Sequence, residues 1–160
     1  MTIPRVVMIC GKICSGKTTY SKKICKQEKA VLLSVDELMI GLFGQNTGDR
    51  HDEYVEKIKE YFLEKTVELI NAGTSVVLDW GLWTRSERTK LKSFYSERNI
   101  AAEIHYIELD DIVWQKRIAE RNEAVKTDGS VGYYIDENLK HKFNEIFEIP
   151  EQSEIDRVIK

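Results

Sequence analysis

The chain has 160 residues, 42% of them hydrophobic and 32% charged, with a net charge of −3. That length suits one domain, residues 1–160, with a real core, and the composition excludes a disordered chain. No apolar run reaches the ~20 residues of a membrane span, and the mild acidity argues against a large nucleic-acid footprint. Met1-Thr2-Ile3-Pro4-Arg5 runs straight into the first strand and leaves no room for a signal peptide. Cys10, Cys14 and Cys25 follow neither a disulfide nor a zinc spacing and read as reduced thiols of a cytoplasmic protein.

Arg5-Val6-Val7-Met8-Ile9-Cys10 is an apolar, β-branched run and predicts a buried strand. Gly11-Lys12-Ile13-Cys14-Ser15-Gly16-Lys17-Thr18 follows it as G-x-x-x-x-G-K-[ST], the phosphate-binding loop, and a helix runs on behind. Chance supplies that string in under ~1% of chains this long. Gly11 and Gly16 are expected to take positive φ and to let a phosphate touch the backbone. Successive N–H groups then form an anion nest, reinforced by the positive end of the helix dipole. ATP is expected on Gly11, Lys12, Ile13, Cys14, Ser15, Gly16, Lys17, Thr18 and Thr19. Lys17 would reach the β- and γ-phosphates and Thr18 would ligate Mg²⁺.

Downstream, Ala30-Val31-Leu32-Leu33 is a second short strand, and Ser34-Val35-Asp36-Glu37 is a capping box opening a helix through Phe43. Residues 44–50 are loop by composition. Tyr54, Ile58, Tyr61, Phe62, Leu69 and Ile70 recur at helical spacing, with Gly73 placed to end that helix. Thr74 to Leu78 makes a third strand closing on Asp79, and Thr84-Arg85-Ser86-Glu87 caps the next helix. Ala102 to Leu109 is a fourth strand, a helix spans about Ile112 to Glu120, and residues 122–134 are polar. A last helix covers about Asp136 to Phe147, and Ile155 to Ile159 is a candidate fifth strand. Strands alternating with helices predict a parallel sheet covered on both faces, a three-layer α/β/α fold. Ligands of such sheets bind outside the carboxyl ends of the strands, so Gly11, Asp36 and Asp79 are expected on one edge.

Asp36 is placed to orient an acceptor hydroxyl and take its proton, the alternative being an acid that merely suits the first turn of a helix. Asp79 is placed for the Mg²⁺ shell, although many strands end in Asp for turn reasons. Trp80 and Trp83 either form an apolar substrate wall or pack in the core. Arg117 and Arg121, spaced i, i+4 before the polar segment, are placed to stabilise phosphoryl charge from a lid over residues 117–135. Arg85 and Arg88 are weaker candidates for an anionic substrate. His51 and His105 read as structural or surface residues.

In order along the chain, Gly11–Thr18, Ser34-Val35-Asp36, Val77-Leu78-Asp79, Thr84-Arg85 with Arg88, and Arg117 with Arg121 resemble the small phosphate-loop kinases of the AAA_33 type. That group is similar to chloramphenicol phosphotransferase, gluconate kinase, zeta toxin and the kinase domain of bacteriophage polynucleotide kinase. The resemblance implies a five-stranded parallel core with a small lid and transfer of the ATP γ-phosphate to a hydroxyl. It sets Asp36 on the family's catalytic aspartate, Arg117 and Arg121 on its lid arginines, and Phe147-Glu148-Ile149-Pro150-Glu151 beside the adenine. Two departures bear on the acceptor. Relatives often carry a small residue and Thr where this chain has Trp80-Gly81. Polynucleotide kinases usually carry an arginine soon after the catalytic acid, where this chain has Glu37-Leu38-Met39-Ile40. The expectation is a kinase of a small hydroxylated molecule such as an antibiotic, sugar or metabolite. A nucleic-acid or nucleoside kinase and a nucleotide-binding regulatory module are the alternatives.

Overall fold

The computed structural model describes residues 2–127 and 133–160. Five strands form one sheet in the order β2-β3-β1-β4-β5, every pairing parallel: β1 Val6–Cys10, β2 Val31–Ser34, β3 Val76–Gly81, β4 Ala102–Ile107 and β5 Arg157–Ile159. Between them lie α1 Lys17–Glu28, α2 Val35–Phe43, α3 His51–Asn71, α4 Arg85–Ser96, α5 Asp111–Thr127 and α6 Glu137–Ile146. None of the described helices is long and apolar enough to cross a membrane.

Side chains alternate across the central strand. Val6, Met8 and Cys10 face one way, into a core with Leu91, Tyr95, Trp114, Ile118 and Phe143 from α4, α5 and α6. Val7 and Ile9 face the other way, into a smaller core beneath α1 with Ile24 and Val77. A third cluster, Val35, Met39, Ile58 and Phe62, joins α2 to α3. All of β1 is buried, as a strand covered on both faces must be. The side-chain oxygens of Ser34, Thr84 and Asp136 accept early N–H groups of α2, α4 and α6; the first two are the caps expected, and Asp136 is an additional one.

The register decides where chemistry gathers. Val6 sits opposite both Val76 and Ala102, and Cys10 opposite Gly81. On the other side of β3, Ser34 sits opposite Asp79. The carboxyl ends of β1, β2 and β3 are therefore level, and the phosphate loop, Asp36 and Asp79 emerge side by side.

Three expectations are corrected. The fifth helix does not stop near Glu120 but runs to Thr127, because Asn122-Glu-Ala-Val-Lys is polar without breaking a helix. Asn122 then clamps the entry to α6: its Nδ2 donates to the Ile135 carbonyl at 2.6 Å and its Oδ1 accepts from Ile135 N at 2.8 Å. Residues 117–127 of the expected lid are thus helix, while 128–132 lie outside the described residues. Residues 152–154 form a short 3₁₀ turn, so β5 is trimmed to Arg157–Ile159.

Arg88 is the third correction. It is 1% exposed and faces the interior rather than a substrate. Its Nε donates to Glu154 at 2.9 Å, and its Nη1 donates to the carbonyls of Leu82 and Glu148, both at 3.0 Å. One guanidinium thereby ties the chain leading to β5 onto the turn after β3, using a planar fork that Lys lacks. Removing one partner of a buried ion pair leaves the other uncompensated. Arg88→Met is expected to lower stability by about 3 kcal/mol, read as a lower urea midpoint. An unchanged midpoint would show the tie to be idle.

Candidate functional site

The loop between β1 and α1 is shaped by two left-handed residues, Cys14 at φ 57° and Gly16 at φ 96°. Gly11 does not share that conformation. Its requirement is space, since a Cβ there would lie 2.8 Å from Ser15 Oγ. Cys14 holds a backbone state that an L side chain rarely adopts, at an expected cost of about 1 kcal/mol or more.

The outer side of the loop is fastened to one face of α5. Trp114 Nε1 donates to the Ile13 carbonyl at 2.7 Å, and Arg117 Nη1 to the Ser15 carbonyl at 2.7 Å. Arg121 Nη1 lies 3.4 Å from Cys14 Sγ. Lys12 turns outward, 2.9 Å from Asp111 and 4.5 Å above the Trp114 ring, so its side chain leaves the site where ATP was expected to meet it. With the carbonyls of Ile13 and Ser15 committed to donors on α5, the loop keeps its negative ends away from the anion side.

The inner side holds the charged groups. Lys17 Nζ donates to the Lys12 carbonyl at 2.7 Å, and Thr18 Oγ1 donates to Asp79 Oδ2 at 3.1 Å. Burial pushes the Lys17 ammonium below the ordinary lysine range, with Asp79 and Asp36 pulling it back up. Burial likewise lifts the Asp79 carboxyl above its usual range, against the pull of Lys17 and Thr18. The buried Ser15 hydroxyl has no partner among the described residues. A triphosphate with a divalent cation fits these residues: the anion suits Lys17, Ser15 and the loop amides, and the cation suits Thr18 with Asp79. Mg²⁺ commonly takes one or two protein groups and completes its shell with phosphate oxygens. Accordingly no cluster of three or more His, Cys, Asp or Glu residues gathers among the described residues.

One cavity of about 1430 Å³ runs past all of this. It exceeds the ~300–1000 Å³ of a single-ligand pocket. Its wall includes Lys17, Thr18, Asp36, Asp79, Trp80, Trp83, Arg117 and Arg121, which come from four separate segments of the chain. Trp80 and Trp83 pack against core aromatics and also border the cavity. Trp80 stacks on Phe62 at 6.4 Å and Trp83 meets Phe143 edge-on at 4.9 Å. Gly81 between them has φ 92°, and a Cβ there would overlap the Trp83 indole.

Other candidates fall outside the cavity wall. Arg85 pairs with Glu151, both guanidinium contacts at 3.0 Å, and Arg88 is interior. Residues 147–151, expected beside the adenine, are not on the cavity wall: Glu148 N donates to the Trp83 carbonyl at 2.8 Å and Phe147 is buried in the core. Ile107 at the end of β4, Leu109 just after it and Ile159 of β5 also border the cavity. The carboxyl-edge rule for parallel sheets was the signal for them. Trp114 was also missed. Its helical spacing from Arg117 and Arg121 was the available clue, but an apolar ring facing the core carries no hint of a carbonyl to hold. His51 lines the cavity, bonded at 2.8 Å to Thr47 Oγ1. His105 is buried between Tyr20 and Glu103.

This sheet order, the loop at the end of its central strand and the Thr18–Asp79 pair define a phosphate-loop NTPase fold of the three-layer α/β/α kind. The chain belongs to the AAA_33 family, described as an AAA domain, whose model matches residues 6–132. No curated protein matches it in sequence. Among solved structures it is similar to a protein from Chloroflexus aurantiacus J-10-fl provisionally assigned as a kinase, at TM-score 0.71 and 12% identity over 99% of this chain and 87% of that one. A gluconokinase from Sinorhizobium meliloti 1021 aligns at TM-score 0.60 and 15% identity, covering 99% and 83%. The Mycobacterium tuberculosis APS kinase CysC, in complex with AMPPNP and APS, aligns at TM-score 0.66 and 15% identity, covering 99% and 89%. At these identities the likeness carries the fold.

Trp114→Phe keeps the ring and deletes the donor to Ile13. A net hydrogen bond contributes about 0.5–1.5 kcal/mol, so loop amides 13–16 are expected to exchange with solvent up to about tenfold faster. Unchanged exchange in that segment would remove Trp114 from the loop's support.

Proposed function

We propose that this protein is an ATP-dependent kinase that transfers the γ-phosphoryl group to a hydroxyl of a small molecule. The observation that carries the reading is the placing of Lys17, the Thr18–Asp79 pair and Asp36 on one wall of one cavity large enough for donor and acceptor. A binding module has no need of a free carboxylate two residues past the strand beside the loop. Asp36 lies outside any ion pair among the described residues, on a helix already capped by Ser34.

In this reading the loop amides and Lys17 hold the triphosphate, and Mg²⁺ at Thr18 and Asp79 supplies positive charge against the phosphate oxygens. Asp36 accepts a hydrogen bond from the acceptor hydroxyl and takes its proton as the oxygen bonds to phosphorus. The bond between phosphorus and the bridging oxygen breaks, and that oxygen leaves with ADP. Arg117 and Arg121, already against the loop, bring guanidinium charge to the phosphoryl group. The rate then rests on positioning and on charge rather than on covalent chemistry by the protein.

Two variants test this with γ-labelled ATP and a panel of sugars, nucleosides, phenicols, aminoglycosides and 5′-hydroxyl oligonucleotides. Lys17→Ala is expected to abolish transfer, and full turnover in that variant would sink the assignment. Asp36→Asn is expected to bind ATP normally by titration calorimetry and to lose about 10²–10⁴-fold in transfer rate. Wild-type rate with intact binding would reduce Asp36 to a helix-start acid.

A further inference from the structure

Tyr133, just before α6, borders the cavity with Asp36 and His51. Its ring is half-buried, but its hydroxyl is fully buried and has no hydrogen-bond partner among the described residues. Such a group costs about 1–3 kcal/mol unless something pairs with it, so an orphan on a cavity wall calls for an explanation.

The residue is placed from two sides. Two positions on, both polar atoms of the Asn122 amide grip the Ile135 backbone, at 2.6 and 2.8 Å. On the other side the His51 ring stands edge-on to the Tyr133 ring, with centroids 6.0 Å apart at 84°. His51 is itself fixed by Thr47 Oγ1 at 2.8 Å. Burial pushes the Tyr133 phenol above its ordinary range, and the charge of Asp36 adds to the effect. Asp36 is thus within electrostatic reach of the phenol, yet the two are not bonded to each other.

An ionised carboxylate only accepts hydrogen bonds, and a phenol beside one turns its hydrogen outward as a donor. An alcohol hydroxyl meets both needs, accepting from Tyr133 and donating to Asp36. A carboxylate or phosphate oxygen brings no hydrogen for Asp36, and an ammonium takes none from Tyr133.

We propose that Tyr133 is a second hold on the acceptor, its hydroxyl donating to the same oxygen whose proton Asp36 takes. The inference rests on the kinase reading of the site. The acceptor oxygen has two lone pairs. One holds the Tyr133 hydrogen while the other attacks phosphorus. The O–H bond breaks toward Asp36, and the bond to the bridging oxygen breaks with its electrons leaving on ADP. Tyr133 changes neither charge nor protonation in this step, so its part is to orient the acceptor.

Tyr133→Phe deletes the hydroxyl and keeps the ring. Because that hydroxyl bonds nothing in the free protein, the urea midpoint is expected not to fall, and ATP affinity by calorimetry to stay as it was. The acceptor side is read with whichever compound of the sugar, nucleoside, phenicol, aminoglycoside and oligonucleotide panel takes label fastest. If none takes label, water is the acceptor and ADP release is the reading. The kcat/KM for that compound, or the hydrolysis rate, is expected to fall about three- to tenfold. Adding Tyr133→Phe to Asp36→Asn is expected to cost little beyond Asp36→Asn alone, because both side chains hold one oxygen. Wild-type kcat/KM in Tyr133→Phe, or fully additive losses in the double variant, would overturn the proposal. So would a lowered midpoint with a matching loss of ATP binding, which would make Tyr133 a packing residue. A wild-type protein that neither transfers nor hydrolyses would reject the kinase reading and the proposal with it. Transfer that Tyr133→Phe leaves untouched would reject the proposal alone.

Discussion

The pairing of β3 between β1 and β2 is the constraint on which the site depends. Parallel strands share a direction, so their carboxyl ends open on one edge, but only the register says how level those ends are. Cys10 opposite Gly81 and Ser34 opposite Asp79 bring three turns to the same height. The phosphate loop, the helix opened by Ser34 and the turn through Trp80 and Gly81 then start side by side. A shift of one residue in β2 would turn its side chains to the opposite face and carry Asp36 off the cavity wall. Val6, Val7, Met8, Val76, Val77 and Leu78, all at most 1% exposed, hold that register by burial on both sides.

Around this frame the polar groups divide into satisfied and waiting. Arg88 has every contact it needs and acts as a tie in the interior. Lys17 and Asp79 have burial without full compensation, which displaces both from their ordinary protonation ranges in opposite directions. Burying a charge costs free energy that its partners must offset. The strain of Cys14 belongs to the same economy of the loop. A rare backbone state is tolerated there because Ile13 and Ser15 on either side are held by Trp114 and Arg117.

Many side chains that look suited to an anion are already paired: Arg85 with Glu151, Arg88 with Glu154 and Lys59 with Glu87. Arg85 and Arg88 lie off the cavity wall, whereas Trp80 and Trp83 border it together with Lys17, Asp36, Asp79 and Lys142. Polar and aromatic groups thus share one lining.

Sequence alone determined the features set by local spacing. The loop is legible because its eight residues are consecutive, and the caps at Ser34 and Thr84 because each acts within three residues. The alternation of strands and helices carried the parallel sheet, and the carboxyl-edge rule then placed Asp36 and Asp79 together. Tertiary structure decided what depends on partners distant in the chain. Arg88 could not be known as an interior tie before Glu148 and Glu154 were folded over it, some sixty residues on. Trp114 could not be known as a support of the loop, because the carbonyl it holds lies 101 residues away. The end of α5 was missed because polarity does not stop a helix, whereas the Asn122–Ile135 clamp that follows is a tertiary contact. A motif states which atoms can meet a phosphate. Which other charges are left free on the cavity wall is settled only when the rest have found their partners.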